Sequence, residues 1–171
     1  MIKKIISKVL MLIFKILEVL NRSVYIKYFP KYLYWLGVQI NPKREAGYIA
    51  PSVEFDGNDY KLIKIGDATT ISKNVLLLTH DYSIKKGLYV LGKKTNARFL
   101  KSIEIGNNCL IGARCCILPG TKIGNNVIIG TGAVVKGHIP DNCIVIGNPA
   151  KIVANIETWT NKHIEFNDFL E

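Results

Sequence analysis

Apolar residues recur at every sixth position between Ile105 and Pro140. Six consecutive hexads each begin with Ile or Val, and Gly follows that residue in four of them. A period of six matches neither the 3.6-residue repeat of a helix nor the two-residue alternation of a long strand. The pattern therefore predicts short strands separated by regular corners.

Three hexads make one triangular coil, so stacking brings together residues that are eighteen positions apart. The expected pairs are Ile105 with Ile123, Ile111 with Ile129, Ile117 with Val135, and Asn107 and Asn108 with Asn125 and Asn126. Asn and Gly adopt the positive φ of a sharp corner at the least energetic cost. We therefore expect the asparagine corner of one coil to lie above the asparagine corner of the coil below. Since no single coil can bury its apolar edge alone, the stack of coils forms the core.

The hexads are similar to those of the hexapeptide acyltransferases, in particular the sugar O-acetyltransferase branch. Two further stretches carry the resemblance, residues 65–83 and the closing motif at residues 146–151, so it covers about residues 38–153. It implies a mainly β fold, a left-handed parallel β-helix, and assembly as a homotrimer. The left hand comes from the resemblance alone, because ordinary crossover connections are right-handed.

The pattern divides the chain into three segments. Residues 1–40 are expected to form an amphipathic, membrane-proximal helical segment, residues 41–151 the β-helix, and residues 152–171 a C-terminal cap in which Trp159 and Phe166 cover the open end. Ile65 and Ile105 are forty residues apart, which is one coil of eighteen plus twenty-two more. About residues 81–102 therefore leave the β-helix as an extruded loop, and loops on a rigid scaffold commonly carry specificity.

The 171 residues are 49% hydrophobic, which suffices for one domain with one core. Their formal net charge of +10 suits an anionic partner, such as nucleic acid, a membrane surface or a phosphorylated ligand like coenzyme A. Nucleic acid is disfavoured because a β-helix lacks an element that reads a groove.

The first 34 residues hold seven basic residues and one acidic residue, so +6 of the net charge lies there. Lys15 and Glu18 interrupt the apolar run and no small-residue cleavage site follows, which disfavours a signal peptide. The longest uncharged run is well short of the ~20 residues that span a bilayer. The polar stripe, which includes Lys4, Lys8 and Arg22, is typical of a helix in a membrane interface or one packed on another subunit. We expect a cytoplasmic protein, peripheral on an anionic membrane unless the helix binds a subunit instead.

His80 lies where the regular coil gives way to the loop. Acetyl transfer from a thioester to a hydroxyl needs a base, and imidazole, with an unperturbed pKa near ~6.5, suits that task at neutral pH. In the sugar O-acetyltransferases that this chain resembles, the histidine before the loop is that base, so His80 is the predicted catalytic residue. Asp81 could orient its ring or point away. Asp56, Asp81 and Arg98 are the predicted substrate-binding residues.

The resemblance also implies a site for acetyl-CoA in the groove between two β-helices of a trimer. Carried over position by position, that site includes the corner residues Ala113 and Thr131, the backbone of Gly112 and Gly132, and the basic residues Lys136 and Lys151. Lys136 is the weaker of the two cations. Gly137 stands where the family usually has lysine, and a one-place shift along a strand can reverse a side chain.

The cysteines at positions 109, 115, 116 and 143 form no CxxC pair, and Cys109 and Cys115 take inward positions of the repeat. We therefore expect buried, reduced thiols, which are typical of a reducing compartment. Only three histidines are present and none has a close ligand spacing, so no metal is expected. The zinc carbonic anhydrases that share this fold are disfavoured for the same reason.

The predicted function is acetyl-CoA-dependent O-acetylation of a sugar hydroxyl, in a surface polysaccharide or its lipid-linked precursor. Two alternatives stay open. One is N-acetylation of an amino sugar, or acetylation of an antibiotic, on the same scaffold. The other is a non-catalytic β-helix module used for assembly.

Overall fold

The computed structural model describes residues 2–44, 46–56 and 59–170. Its central part is a β-helix whose short strands visit three sheets in turn. Sheet A contains β1 (Gln39–Ile40), β3 (Ile63–Ile65), β8 (Ile103–Ile105), β11 (Lys122–Ile123) and β14 (His138–Ile139). Sheet B contains β4 (Thr70–Ile71), β9 (Leu110–Ile111), β12 (Ile128–Ile129), β15 (Cys143–Ile146) and β16 (Lys151–Asn155), and sheet C contains β2 (Glu54–Phe55), β5 (Leu76–Leu77), β10 (Cys116–Ile117) and β13 (Val134–Val135).

The coils stack in parallel with the predicted register. Ile105 pairs with Ile123, Ile111 with Ile129, and Ile117 with Val135. One coil lower the offset is forty residues, since Ile65 pairs with Ile105, as the inserted segment requires. The stack ends where β16 pairs with β15 in the antiparallel direction.

The sixth hexad was predicted in the wrong register. Ile139, assigned to a fifth place, pairs instead with Ile123, which opens its hexad, and Val145 pairs with Ile129. Both pairs are sixteen residues apart, so the last coil is two residues shorter than those below. The shortening occurs at the corner between β13 and β14, where Gly137 has a φ of 88° and turns the chain tightly.

The asparagine corners stack as predicted. Asn108 Nδ2 donates to Asn126 Oδ1 at 2.9 Å, and Asn126 Nδ2 donates to Asn142 Oδ1 at 2.8 Å. These three residues have φ between 51° and 59°, the left-handed region that asparagine tolerates better than most residues. The side-chain amide of each of the two lower asparagines therefore donates to the asparagine of the next coil, and the ladder joins the corners of three coils.

The core lies inside the prism and is lined by the residues that open the hexads and by their fifth-place partners. Cys109 and Cys115 are buried there, which confirms the prediction of buried thiols. Burial raises the pKa of both thiols, so they remain protonated at neutral pH.

The N-terminal segment is a hairpin of α1 (Ile2–Leu20) and α2 (Arg22–Leu36). Asn21 caps α2, its side chain accepting from Val24 N–H at 3.1 Å, and Gly37 ends α2 in the left-handed conformation. Phe14 packs against Phe29 with ring centroids 5.3 Å apart. The α2 aromatic residues continue into the core of the β-helix, so the hairpin closes its N-terminal end.

The inner face of α1 is tied to the rest of the chain. Phe14 is buried, Tyr32 Oη donates to Ser7 O at 2.9 Å, and Tyr48 Oη donates to the Glu18 carboxylate. The outer face instead presents aliphatic side chains to solvent: Ile5, Ile6, Val9, Leu12, Ile13, Ile16, Val19 and Leu20. In the part of the chain that the structure describes, no helix has the length and apolarity needed to cross a membrane. Met1, Glu171 and the Lys4 side chain, which belong to the predicted terminal segments, lie outside the described residues.

The insertion between β5 and β8 contains more regular structure than the predicted loop. It begins with β6 (His80–Asp81), continues into α3 (Ser83–Val90) and returns through β7 (Phe99–Leu100), which pairs with β6 in the antiparallel direction. Lys101 N–H donates to Thr79 O at 2.9 Å where the two ends of the insertion meet. The insertion thus leaves the β-helix and returns to it at the same place, where β6 and β7 form a two-stranded antiparallel ribbon.

The C-terminal segment covers the β-helix by strand pairing. β16 lies along β15, and α4 (Ile156–Phe166) follows, with Asn155 as its N-cap. Trp159 is 42% exposed and Phe166 is 63% exposed, so the prediction that these two rings cover the open end is wrong. The backbone of β16 satisfies the edge of β15, and no aromatic cover is needed there.

Candidate active site

His80 stands at the point where the chain leaves the prism. Leu78 N–H still donates to Ile117 O at 2.9 Å, as in a regular coil, and Thr79 is completely buried. His80 then enters the ribbon opposite Leu100. Its side chain is 23% exposed, and its ring meets the edge of the Tyr82 ring with centroids 5.2 Å apart.

The imidazole of His80 is held by Asp56. Asp56 follows β2, and because Phe55 pairs with Leu77, its carboxylate lies under the segment that carries Thr79 and His80. A single oxygen, Oδ2, accepts from Thr79 N–H and Thr79 Oγ1, both at 2.9 Å, and from His80 N–H at 3.1 Å. The same oxygen contacts His80 Nδ1.

This environment fixes the charge of Asp56. The carboxylate is only 7% exposed, and burial by itself would raise its pKa, but the hydrogen bonds from Thr79 and His80 outweigh burial and hold the pKa below its ordinary value. Asp56 is therefore ionised at neutral pH. A carboxylate can only accept, so Nδ1 carries the proton and Nε2 of the neutral imidazole is left as the free basic nitrogen.

The two carboxylates near His80 have different surroundings. Asp56, predicted to bind the substrate, is buried behind the imidazole and uses its Oδ2 for Thr79 and His80, so that prediction needs correction: Asp56 contacts His80 and does not line the cavity. For Asp81 the sequence left two orientations open. Its Oδ1 accepts from Ser83 N–H at 2.6 Å and its side chain lines the neighbouring cavity, so it does not hold the ring, and its role in substrate binding stays a prediction.

A cavity of about 150 Å³ opens between the inserted ribbon and the β-helix, and Asp81, the residue after His80, lines it. It is lined by Asp81, Ser83, Phe99, Lys101, Leu118, Pro119 and Lys136. Hydrogen bonds from Ser83 lower the pKa of the Asp81 carboxyl, and the nearby charge of Lys136 lowers it further. The cavity thus offers one carboxylate and two ammonium groups, a suitable surface for a polar molecule, and His80 precedes Asp81 of its lining in the chain.

The four predicted corner residues of the donor site lie together. Gly132 N–H donates to Ala113 O at 2.9 Å, and Gly112 N–H donates to Ile129 O at 2.8 Å. Both glycine amides are therefore used inside the β-helix and are not free donors for a ligand. The small size of Gly112 serves the coil as well, because a Cβ there would be 2.6 Å from Thr131 N.

The predicted cations lie near the two ends of β13, an edge strand of sheet C. Lys136 lines the same cavity as Asp81, at the corner that follows β13. Lys151 ends the closing motif, whose turn is held to the start of the same strand: Val134 N–H donates to Gly147 O and Ala150 N–H donates to Val134 O, both at 3.0 Å. Arg98, exposed, directly precedes β7 and so sits at the outer end of the ribbon, beyond the Asp81–Phe99 pair.

Sequence reasoning missed the partner of the histidine. The coil register could not have found it, because Phe55 pairs with Leu77 at an offset of twenty-two residues, whereas a regular coil of eighteen would place Asp59 under Leu77. Within the described residues, no group of three His, Cys, Asp or Glu side chains is close enough to hold a metal ion.

Residues 102–137 match the family model "Bacterial transferase hexapeptide (six repeats)". Protein CapG of Staphylococcus aureus is 38% identical over 135 residues, which cover 78% of this chain and 75% of that protein. Galactoside O-acetyltransferase of Escherichia coli strain K12 is 34% identical over 112 residues, covering 66% of this chain but only 52% of the relative. The chain thus spans about half the length of that enzyme.

Solved structures share the fold. Galactoside acetyltransferase in complex with coenzyme A superposes with a TM-score of 0.59 at 25% identity, over 99% of this chain and 88% of that one. A maltose O-acetyltransferase from Clostridium difficile 630 superposes with a TM-score of 0.57, also at 25% identity, over 74% of this chain and 73% of that one.

Proposed function

The chain belongs to the bacterial hexapeptide-repeat transferases, and on that premise we propose that it transfers the acetyl group of acetyl-CoA to a sugar hydroxyl. The contact of His80 with ionised Asp56, directly before the residue Asp81 that lines a polar cavity, supports the proposal most directly. The names of the similar galactoside and maltose O-acetyltransferases support the acceptor class, and the coenzyme A bound to the solved galactoside acetyltransferase supports the donor.

In the proposed reaction His80 is the general base. Its Nε2 removes the proton of the sugar hydroxyl while the oxygen attacks the thioester carbonyl, and the imidazolium that forms is stabilised by Asp56. The tetrahedral intermediate then expels the thiolate of coenzyme A, which takes the proton from His80. The acetyl group ends on the sugar oxygen, and neither a covalent enzyme intermediate nor a redox step is involved. Backbone N–H groups at the coil corners would stabilise the oxyanion.

Acetyl-CoA is proposed to lie along the corner formed by Ala113 and Thr131, with its phosphates near Lys136 and Lys151. The two cations lie near opposite ends of β13, to which the turn of the closing motif is also held. Gly112 and Gly132 have no side chains, so acetyl-CoA could approach the backbone closely there. Their amides would not act as donors to it, because they already donate within the β-helix. The proposal includes a homotrimer, in which a second β-helix supplies the other wall of the groove.

The acceptor is proposed to be a sugar of a surface polysaccharide or of its lipid-linked precursor. The outer face of α1, with eight exposed aliphatic side chains beside Lys8 and Lys15, supports a location at the anionic cytoplasmic leaflet. This face is held in place because Phe14 anchors α1 from the opposite side. A peripheral helix of this kind would keep the site near lipid-linked carriers.

Acetyl transfer is tested with the full-length protein, acetyl-CoA and a panel of sugars, amino sugars and antibiotics, by following the release of the coenzyme A thiol. Transfer to a hydroxyl, reduced about 10²- to 10⁴-fold in His80→Ala, is the expected result. His138→Ala is the matched control, since His138 is an exposed histidine outside the cavity. Transfer confined to amines would favour the N-acetyltransferase. Absence of transfer to every acceptor from a folded protein would favour the assembly module.

Membrane association is tested by co-sedimentation with vesicles that contain anionic lipid. Leu12→Lys with Ile16→Lys should weaken binding by about 2 kcal/mol, roughly 30-fold, because two half-exposed aliphatic side chains no longer enter the lipid. Val90→Lys with Leu91→Lys adds the same charge at exposed aliphatic positions outside α1 and should not weaken binding. If the α1 variant instead lowers the oligomeric state, the face contacts a second copy and the membrane assignment is wrong.

A further inference from the structure

A second and larger cavity lies on the insertion, outside the site described above. It has a volume of about 550 Å³ and is formed by α3 and the segment that follows it. Four lysines line it, Lys85, Lys86, Lys93 and Lys94, together with Tyr89, Thr95 and Asn96. We refer to it as the lysine pocket.

The lysine pocket has no negative charge of its own. Residues 81–102 contain six basic residues and one acidic residue, Asp81, which lies before α3 and lines the smaller cavity instead. The ion pairs of the described residues join His80 to Asp56, Lys122 to Glu104 and His163 to Asp168, so none involves a lysine of the pocket. Four ammonium groups around one cavity repel one another, and a bound anion removes that cost.

The lysines of the pocket are not needed to satisfy the carbonyl groups at the C-terminal end of α3. The last carbonyls of the helix already have backbone donors: Leu91 N–H donates to Gly87 O, Gly92 N–H to Tyr89 O, and Lys93 N–H to Leu88 O. Lys85 Nζ donates to Asn96 Oδ1 at 3.0 Å, which holds the returning segment across the cavity. Lys86, Lys93 and Lys94 are exposed and remain available to a ligand.

The chemistry of the pocket matches phosphate. Lysine binds phosphate as a mobile point charge with three donors, and several lysines together suit a group of two or more negative charges better than a single carboxylate. The exposed ring of Tyr89 offers an apolar face for a sugar or base attached to such a group. The volume is in the range of pockets that hold a small organic ligand.

We infer that the lysine pocket binds the diphosphate of a phosphorylated acceptor, a sugar carried on a diphosphate. This inference rests on the proposed acetyl transfer to a sugar. Lys85 lies five residues beyond His80, on the helix that begins directly after the ribbon. A ligand whose diphosphate occupies the pocket would extend its sugar toward the cavity that holds Asp81 and Lys136.

The test measures binding of inorganic pyrophosphate to the full-length protein by calorimetry, with and without saturating coenzyme A. Replacing Lys86, Lys93 and Lys94 together by Ala should weaken pyrophosphate binding by at least about tenfold, because charge-assisted hydrogen bonds are lost. A control that replaces Lys43, Lys73 and Lys162 by Ala removes the same charge from exposed positions elsewhere and should bind pyrophosphate as the native chain does. Equal weakening in both variants would overturn the site and leave only a general charge effect.

Two further measurements distinguish acetyl-CoA from a phosphorylated acceptor as the ligand whose phosphates occupy the lysine pocket. If saturating coenzyme A displaces the pyrophosphate, and the pocket variant also raises the KM of acetyl-CoA, the pocket serves the donor and the acceptor assignment is overturned. With a nucleoside diphosphate sugar as acceptor, the pocket variant should lower kcat/KM about tenfold while the value for the free sugar is unchanged.

The outcomes also distinguish this inference from the proposed function. Pyrophosphate binding requires no turnover, so His80→Ala should bind it normally. Retained acetyl transfer without pyrophosphate binding overturns the pocket alone. Retained pyrophosphate binding without acetyl transfer to any acceptor overturns the proposed function and leaves a phosphate site.

Discussion

Replacing Asp56 by Asn tests how much the negative charge of Asp56 contributes to catalysis by His80. The substitution preserves shape, and if the amide oxygen takes the place of Oδ2 it can still accept from Thr79 and His80. A hydrogen bond to an ionised group contributes about 1.5–3 kcal/mol and a neutral one about 1 kcal/mol. The charge matters most when the imidazolium forms, so we expect the barrier to rise by about 2 kcal/mol, the upper difference between these values, which is a loss of roughly 30-fold in kcat.

The assay is the steady-state rate of acetyl transfer from acetyl-CoA to a galactoside, with kcat and KM determined separately. KM for both substrates should change little, because Asp56 is buried and does not reach the cavity. Asp141→Asn is the matched control, since Asp141 also accepts a backbone N–H at a coil corner, from Asn125 at 2.8 Å, but lies away from His80. It should leave kcat unchanged.

The decisive comparison is made in the His80→Ala background. If Asp56 acts through the imidazole, adding Asp56→Asn to His80→Ala should cause no further loss of kcat. A second loss of kcat of that size in that background would refute the assignment and make Asp56 a residue with an independent role. An unchanged kcat in the single variant would refute it as well.

The same carboxylate makes a pH-dependent contribution to stability. Its folded pKa is depressed below the ordinary value of about 4, so the stabilisation is fully present above that value and is lost as the pH falls through the lower folded pKa. The difference in unfolding free energy between the native chain and Asp56→Asn should therefore shrink as the pH falls below about 4. Urea unfolding at a series of pH values measures it.

Three further substitutions test the coil, its corners and the helical hairpin, each by denaturant unfolding. Gly112→Ala should lower the unfolding free energy by about 2–4 kcal/mol, because its Cβ would lie 2.6 Å from Thr131 N. Gly87→Ala, in open space on α3, should be neutral or raise it by up to about 1 kcal/mol, and equal effects of the two substitutions would contradict this explanation. Asn126→Ala should cost about 2 kcal/mol, since it removes two ladder hydrogen bonds and puts Ala at a φ of 56°, and a loss under 0.5 kcal/mol would mean that the ladder is not stabilising. Phe14→Ala should cost about 3 kcal/mol and speed hydrogen exchange in α1 without lowering protection in the β-helix; uniform loss of protection would show that the hairpin is not a separate unit.

Periodicity predicted most of the β-helix. The hexads gave the pairs of Ile105 with Ile123 and of Ile111 with Ile129, and the doubled asparagines gave the corner ladder, because a solenoid depends only on contacts between neighbouring coils. The same reasoning failed at Ile139, where Gly137 shortens the corner by two residues. A single tight turn leaves the apolar spacing intact locally while it shifts the register of everything after it.

The histidine at the start of the insertion could be singled out from the sequence, but its partner could not. Asp56 and His80 are separated by twenty-four residues, and the path between them includes a short 3-10 turn at Tyr60–Leu62 that no period encodes. The exposed face of α1 is similar: the sequence predicts an amphipathic helix, but only the packing of Phe14 on α2 decides which apolar side chains remain outside. Sequence alone determined the repeating coil, because each residue there needs only the coil above and below. The tertiary structure decided the Asp56–His80 pair and the outer face of α1, because both depend on where irregular connections bring distant residues together.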